Sequence, residues 1–161
     1  MKNLMKMRRL AIFSSLLLPF LLLEVSHAQD VTPPTVSVWV DPPPKYQCPR
    51  RNVYPCNCTK GSDEGIFLEC ANTNLASLAV GLAQVKSLVH TLRIESCNIE
   101  RLFGDVFRSL TVKKLHIVDT PIKDISDNTL DDQAETLEEL YITNSWLTRV
   151  PPCVKNLTNI K

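Results

Sequence analysis

Apolar and polar positions follow a repeating pattern between residue 65 and the end of the chain. The pattern is L-x-x-L-x-L-x-x-N/C-x-L, in which x is any residue, with a period of roughly 20 to 29 residues. Four stretches fit this pattern in register, the first of them only from its fourth position onward. Their fourth-position residues are separated by 24, 23 and 25 residues, and they are Leu68, Leu92, Leu115 and Leu140. Four matches at this spacing predict a chain built from one repeated unit.

Within each stretch, the alternation of residues predicts a short strand with one apolar face and one solvent-exposed face. Leu115 and Ile117, for example, alternate with Lys114 and His116. One such apolar face is too small to hold a single unit together, so neighbouring units are expected to stack these faces into a continuous core. The predicted fold class is an α/β-type repeat solenoid. Its short parallel strands lie on the concave face, and its convex returns are mostly irregular or short-helical.

The ninth position of the pattern turns the chain and must satisfy backbone groups at the strand end. Small side chains, most of them with a hydroxyl group, occupy this position in the four stretches: Thr73, Cys97, Thr120 and Ser145. They are expected to form a ladder of hydrogen bonds in place of the usual asparagine.

The first 28 residues have the pattern of a secretory signal peptide. Lys2, Lys6, Arg8 and Arg9 form a positive segment, and residues 10–23 are predominantly apolar. Ser26-His27-Ala28 then places small residues at the cleavage positions before Gln29. The alternative, a retained membrane anchor, is disfavoured because this apolar run is short for a span of roughly 20 residues. We therefore expect export to the extracellular space.

Cleavage at Gln29 changes the charge balance of the chain. The full sequence has 18 basic and 17 acidic residues, of which the first 28 residues hold four and one. The remaining chain thus has 14 basic and 16 acidic residues, a net charge near −2. This balance gives no electrostatic reason to expect nucleic acid or an anionic membrane as a partner.

Export makes disulfides the expected state of the clustered cysteines. The first four have the spacing C-x₇-C-x-C-x₁₁-C, from Cys48 to Cys70, and Cys97 and Cys153 are isolated. Structural zinc sites usually have pairs of the form C-x₂₋₄-C with a matching second pair, which this cluster lacks. Two disulfides are therefore favoured over a metal site, although the spacing alone allows three pairings of four cysteines.

The cluster resembles the cysteine-rich N-terminal flank of extracellular leucine-rich-repeat proteins. The segments that carry this resemblance are Cys48-Pro49, Cys56-Asn57-Cys58 and Leu68-Glu69-Cys70. The resemblance implies the disulfides Cys48–Cys58 and Cys56–Cys70, which cap the apolar end of the first repeat. The repeats are also similar to those of secreted arthropod members, including the non-catalytic, leucine-rich-repeat subunit of a shrimp luciferase.

These features predict the following organisation. A signal peptide (1–28) precedes a proline-rich disordered spacer (29–47), a disulfide-bonded cap (48–75) and repeats over 65–161. The repeats are divided into 65–88, 89–111, 112–136 and 137–156, with an incomplete one from 157. Because the sequence ends before that unit's strand is complete and without a C-terminal cap, we expect an open apolar end suited to self-association.

The solvent-exposed face of the strands is the predicted contact surface for a protein partner. Basic residues dominate its middle strand and acidic residues its last strand, and the candidate contacts are Arg93, Glu95, Lys113, Lys114, His116, Glu138 and Tyr141. Arg93, His116 and Tyr141 are preferred, because arginine and aromatic residues are enriched at interfaces. The alternative is a solvated face that binds nothing specific.

Two sequons predict N-glycosylation at Asn57 and Asn156. Cys97 is expected to be a buried, unpaired thiol. Cys153 is expected to lie too far from Cys97 for a disulfide and to pair with a cysteine outside this sequence.

An enzyme is disfavoured. His90 and His116 are expected on the same solvent-exposed face as Ser96 and Asp119. An open sheet, however, lacks the water-excluding pocket that catalysis requires. No cofactor is expected. The predicted function is a secreted protein-binding scaffold, such as an accessory subunit or matrix component. Two alternatives stay open: an N-terminal fragment of a membrane-receptor ectodomain in adhesion or innate immunity, and a truncated product with little independent function.

Overall fold

A computed structural model describes residues 41–161 of the chain. The predicted signal peptide and most of the predicted spacer lie outside the described residues. The elements follow in the order β1 (Cys56–Lys60), β2 (Ile66–Ala71), α1 (Leu75–Leu82), β3 (Val89–Glu95), β4 (Arg101–Leu102), β5 (Val112–Val118), β6 (Asp124–Ile125) and β7 (Glu139–Thr143). Two short 3₁₀ helices cover Asp131–Gln133 and Pro152–Asn156.

Five strands form one mixed sheet in the order β1-β2-β3-β5-β7, and β4 and β6 form a separate two-stranded sheet. β1 runs antiparallel to β2, whereas β2, β3, β5 and β7 run parallel to one another. The register places Leu68, Leu92, Leu115 and Leu140 next to one another on successive strands. The strands therefore lie where the alternation of residues predicts them.

The predicted repeat solenoid is wrong. The described residues form a small mixed sheet with one α-helix and two disulfides, and its strand order is not that of a repeat coil. A repeat coil requires equivalent connections between its strands, and here the connections differ. One contains the eight-residue helix α1, the next two contain the two-residue strands β4 and β6, and β1 adds an antiparallel strand to the sheet.

The core lies behind the sheet, where the alternate apolar residues of β2, β3 and β5 are buried. Helix α1, strand β4 and the irregular returns cover it with Leu78, Leu82, Leu102, Phe107 and Leu130. In β7, the corresponding residues Leu140 and Ile142 are only partly buried, because β7 is the last strand of the described sheet.

Each parallel strand ends in the same turn. Four small polar residues there have positive φ angles between 49° and 52°, and they are Asn72, Ser96, Asp119 and Asn144. Asparagine, aspartate and similar short polar residues tolerate this left-handed conformation better than most residues do. The next position supplies part of the expected ladder, since the Cys97 backbone N–H donates to Thr120 Oγ1 at 3.3 Å.

The N-terminal end of the sheet is crosslinked. Disulfides join Cys48 to Cys58 and Cys56 to Cys70, the same pairs that the resemblance implies. Cys56 and Cys70 lie directly opposite each other on β1 and β2. These two bonds are consistent with an extracellular protein, since disulfides persist in oxidising compartments. No helix within residues 41–161 has the length and apolar character needed to cross a bilayer.

Helix α1 packs closely against the crosslinked segment. It begins after Asn74, whose side-chain oxygen accepts a hydrogen bond from the Ser77 N–H at 3.0 Å. A Cβ atom at Gly81 would lie only 2.9 Å from the carbonyl oxygens of Val53 and Tyr54. Glycine at this position therefore lets the helix approach the backbone of residues 53–55.

Gln133 organises the return before β7 from a buried position. Its side-chain oxygen accepts a 3.0 Å hydrogen bond from the Val112 N–H, and its Nε2 donates to the carbonyls of Phe107 and Leu110, each at 3.0 Å. One side chain thus satisfies three backbone groups that belong to another part of the chain.

Candidate functional site

The exposed side of the five-stranded sheet brings the candidate residues together. We call the side chains of β2, β3, β5 and β7 that alternate with the core residues the polar sheet face. Its central row crosses all four parallel strands in register and consists of Glu69, Arg93, His116 and Tyr141. The three preferred contact residues are therefore direct neighbours in the sheet.

Two further rows flank the central one. Phe67, Thr91, Lys114 and Glu139 form the first, and Ala71, Glu95, Val118 and Thr143 form the second. Lys113 and Glu138 lie at the start of this surface, where the Glu138 N–H donates to the Lys113 carbonyl at 2.7 Å. Five of the seven candidate contacts thus lie in these three rows, and the other two, Lys113 and Glu138, directly precede Lys114 and Glu139 in the chain.

The charges on this face neutralise one another. Arg93 donates two 2.9 Å hydrogen bonds to Glu95 and lies 3.7 Å from Glu69. Glu139 contacts both Lys114, at 3.0 Å, and His116, at 2.9 Å. The basic middle strand and the acidic last strand are therefore linked in ion pairs, and the face carries balanced charge instead of separate charged patches.

These contacts shift the ionisation of the face carboxylates. The hydrogen bond from Arg93 lowers the pKa of Glu95 below its ordinary value of 4.5. The hydrogen bond from Lys114, followed by that from His116, lowers the pKa of Glu139. Both carboxylates are stabilised in their charged form, because a donor or a positive charge close to a carboxylate favours ionisation.

Aromatic rings lie at both edges of the face. Tyr141 is 51% exposed, and its ring lies 5.7 Å from that of His116. At the other edge, the Phe67 ring stacks on His90 at 4.6 Å, and the Lys60 ammonium lies 4.3 Å from the Phe67 ring. Tyr141 thus supplies exposed apolar contact area at one edge of a charged surface, whereas Phe67 at the other edge is partly buried.

Sequence reasoning missed two residues at this edge, Lys60 and Glu64. Glu64 lies 3.1 Å from His90 Nε2, and it comes from the turn before β2. Lys60 reaches Phe67 because β1 pairs antiparallel with β2. The predicted all-parallel arrangement did not include this pairing, and the two positions fall outside the repeating pattern, so no signal in the sequence pointed to them.

The two predicted glycosylation sites differ in position. Asn57 is exposed on β1 directly opposite Glu69, so its side chain belongs to the same side of the sheet as the polar sheet face. Asn156 is exposed in the last 3₁₀ helix, where its side chain donates to Asp131 at 3.0 Å. A glycan at Asn57 would therefore border the polar sheet face, and one at Asn156 would lie on a return.

Both remaining cysteines are buried and unpaired among residues 41–161. Burial raises the pKa of each thiol, as expected when the charged thiolate loses solvent. Cys153 is only 1% exposed. Because this thiol is buried, a disulfide with a cysteine outside this sequence would require local opening of the fold, and that pairing stays a prediction.

Within residues 41–161, no group of three histidine, cysteine or acidic side chains is placed to hold a metal ion. Comparisons of the chain with protein-family models, with curated proteins and with solved structures found no match. The resemblance to extracellular leucine-rich-repeat proteins therefore stays a prediction.

Proposed function

We propose that this chain is a secreted protein-binding module, exported after cleavage at Gln29, and that the polar sheet face is its contact surface. The two disulfides support the extracellular part of this proposal. The observation that carries the binding role is the row of Glu69, Arg93, His116 and Tyr141, held in register across four strands.

The chemistry of the face favours a protein over a strongly charged polymer. Its ion pairs leave little net charge, and aromatic rings lie at both edges, with Tyr141 exposed and Phe67 partly buried. Interfaces between proteins combine aromatic and arginine side chains with a polar rim in this manner. A rigid sheet also holds these side chains in place before the partner binds, which reduces the entropy lost on binding.

The test compares two sets of exposed residues in the full chain, expressed with its own N-terminal segment in a eukaryotic secretory cell line. The secreted protein is screened against an array of purified extracellular protein domains. The face variant carries Arg93→Ala, His116→Ala and Tyr141→Ala. The control variant carries Arg101→Ala, Phe103→Ala and Lys123→Ala, which lie off the face, and Phe103 is 52% exposed, closely matching Tyr141.

A specific partner should bind the control variant as it binds the unmodified protein. The face variant should lose roughly 2 kcal/mol or more of binding free energy, the usual threshold for interface hot spots. Equal binding by both variants would rule out the polar sheet face as the contact surface. Sedimentation of the same samples tests the expectation of self-association, and the intact mass reports signal cleavage and glycan occupancy.

A further inference from the structure

We propose that a basic cleft at the crosslinked end of the fold binds a sulfated polysaccharide. The basic cleft has a volume of about 380 Å³ and lies between the segment after Cys48 and the residues that follow helix α1. Arg50, Arg51 and Lys86 line it, together with Gln84 and Ser87. The proposal depends on export of the chain but not on protein binding by the polar sheet face.

The three cations of this cleft lack acidic partners among the described residues. None of them forms an ion pair there, and no aspartate or glutamate lines the cleft. Elsewhere in the same structure, cations such as Arg101, Arg108 and Lys123 are paired with carboxylates. The basic cleft is therefore a local positive site in which three cations lie together without a neutralising carboxylate.

The fold holds these cations in place from both sides. The disulfide between Cys48 and Cys58 anchors the segment that carries Arg50 and Arg51. The close approach of α1 at Gly81 to the backbone of residues 53–55 brings Lys86 to the opposite wall. Because both walls are fixed, little of the binding energy is spent on assembling the site.

The chemistry of the site fits oxyanion groups arranged along a chain. Arginine guanidinium groups bind oxyanions through paired, charge-assisted hydrogen bonds, and lysine adds a compact charge. A second cleft of about 260 Å³ adjoins the first, since Arg50 and Arg51 line both, and Asn52 adds an amide there. The two clefts together offer contacts beyond a single anion, which favours a polymer with repeated anionic groups.

A sulfated polysaccharide is favoured over other polyanions. The cationic side chains line concave clefts, whereas binding to a membrane surface requires cations on a protruding or flat face. An exported, disulfide-bonded chain meets sulfated polysaccharides in the extracellular space, and clusters of basic residues are a common feature of heparin-binding surfaces. Nucleic acids and anionic vesicles are therefore used as competing ligands in the test.

The experiment measures binding of a heparin hexasaccharide to the secreted full chain by isothermal titration calorimetry. A desulfated hexasaccharide serves as the ligand control. The cleft variant carries Arg50→Gln, Arg51→Gln and Lys86→Gln. The control variant carries Arg108→Gln, Arg149→Gln and Lys155→Gln, which remove the same charge at positions that do not line either cleft.

We expect the unmodified protein and the control variant to bind the sulfated hexasaccharide with affinities within roughly twofold of each other. The cleft variant should bind about tenfold more weakly or worse, since three charged contacts are removed. Circular dichroism and disulfide mapping report whether each variant is folded. Equal losses in both variants, undiminished binding of the desulfated ligand, or tighter binding to single-stranded DNA or phosphatidylserine vesicles would each overturn the proposal.

Discussion

The guanidinium group of Arg93 donates two hydrogen bonds, each 2.9 Å long, to the carboxylate of Glu95 two positions later on the same strand. Both residues point to the same side of the sheet, because side chains alternate along a strand. The charged groups of these two side chains are therefore already paired within the chain itself. Under the proposed function, a partner would have to bind this pair as a unit or replace one of its members.

The contact between Arg93 and Glu95 leads to a prediction about how the stability of the fold depends on pH. Because the hydrogen bond from Arg93 lowers the pKa of Glu95 in the folded state, the pair stabilises the fold above the unfolded pKa of this carboxyl group. That contribution is lost as the pH falls through the lowered folded value. In the unmodified protein, carbon-detected NMR titration should give a Glu95 pKa below 4.5. In the Arg93→Gln variant, the Glu95 pKa should be higher than in the unmodified protein.

Glu139 serves as an internal control in the same titration. Its pKa is lowered by Lys114 and His116 and not by Arg93, so Arg93→Gln should leave it unchanged. An identical Glu95 pKa in both proteins would contradict the assigned pair.

Gln133 makes a prediction about stability. Replacing it with leucine removes the partners of the Val112 N–H and of the Leu110 carbonyl. It also removes one of two partners of the Phe107 carbonyl, which accepts from the Leu110 N–H as well. Leaving the first two buried groups without partners should lower the free energy of unfolding by about 2 to 4 kcal/mol. Chemical denaturation followed by circular dichroism measures the change.

The matched control is Gln84→Leu, because Gln84 is exposed and makes one side-chain hydrogen bond, to the Val80 carbonyl. That change should alter stability by no more than about 0.5 kcal/mol. If both substitutions cost the same, the buried network around Gln133 is not formed.

The two unpaired cysteines make a prediction about reactivity. Cys97 and Cys153 are buried, and burial raises the pKa of both thiols. Since the thiolate is the reactive form, neither residue should react with iodoacetamide at neutral pH while the protein is folded. Mass spectrometry should find two alkylated cysteines after denaturation, and modification of Cys153 in the folded protein would refute its burial.

The disulfides are expected to differ in what their removal costs. They close segments with sequence separations of 10 and 14 residues, so the restriction of the unfolded chain is similar, roughly 3 kcal/mol for each. Cys56 and Cys70 are also part of the core, with exposures of 3% and 0%. The double variant Cys56→Ala/Cys70→Ala should therefore be less stable than Cys48→Ala/Cys58→Ala by about 1 kcal/mol or more.

Thermal or urea unfolding of the two double variants makes this comparison under identical conditions. Equal losses of stability in the two double variants would contradict this prediction. They would indicate that the burial of Cys56 and Cys70 adds no packing energy to the effect of the disulfide.

The predicted and observed structures agree where local pattern was sufficient. Alternating residues placed the strands that contain Leu68, Leu92, Leu115 and Leu140, and these leucines are aligned in the sheet. The predicted fold class was wrong because it assumed equivalent connections between all the strands. It did not foresee that residues 56–60 form an antiparallel strand or that the connections between strands differ.

The candidate face shows the same limit. Sequence spacing was enough to place Arg93, His116 and Tyr141 on one side of the strands, since side-chain direction follows the period of a strand. Spacing says nothing about which charges are paired, however, and the contacts of Glu139 with Lys114 and His116 depend on the alignment of separate strands.

The sequence by itself determined which residues alternate between core and solvent, where the four parallel strands of the main sheet lie, and which cysteines cluster, because these properties depend on neighbours along the chain. Only the tertiary structure decided the antiparallel start of the sheet, the burial of Gln133 and the meeting of Arg50 and Arg51 with Lys86. Those relationships join residues that are far apart in sequence. They depend on how the strands and the helix pack, which a local pattern of residue types does not encode.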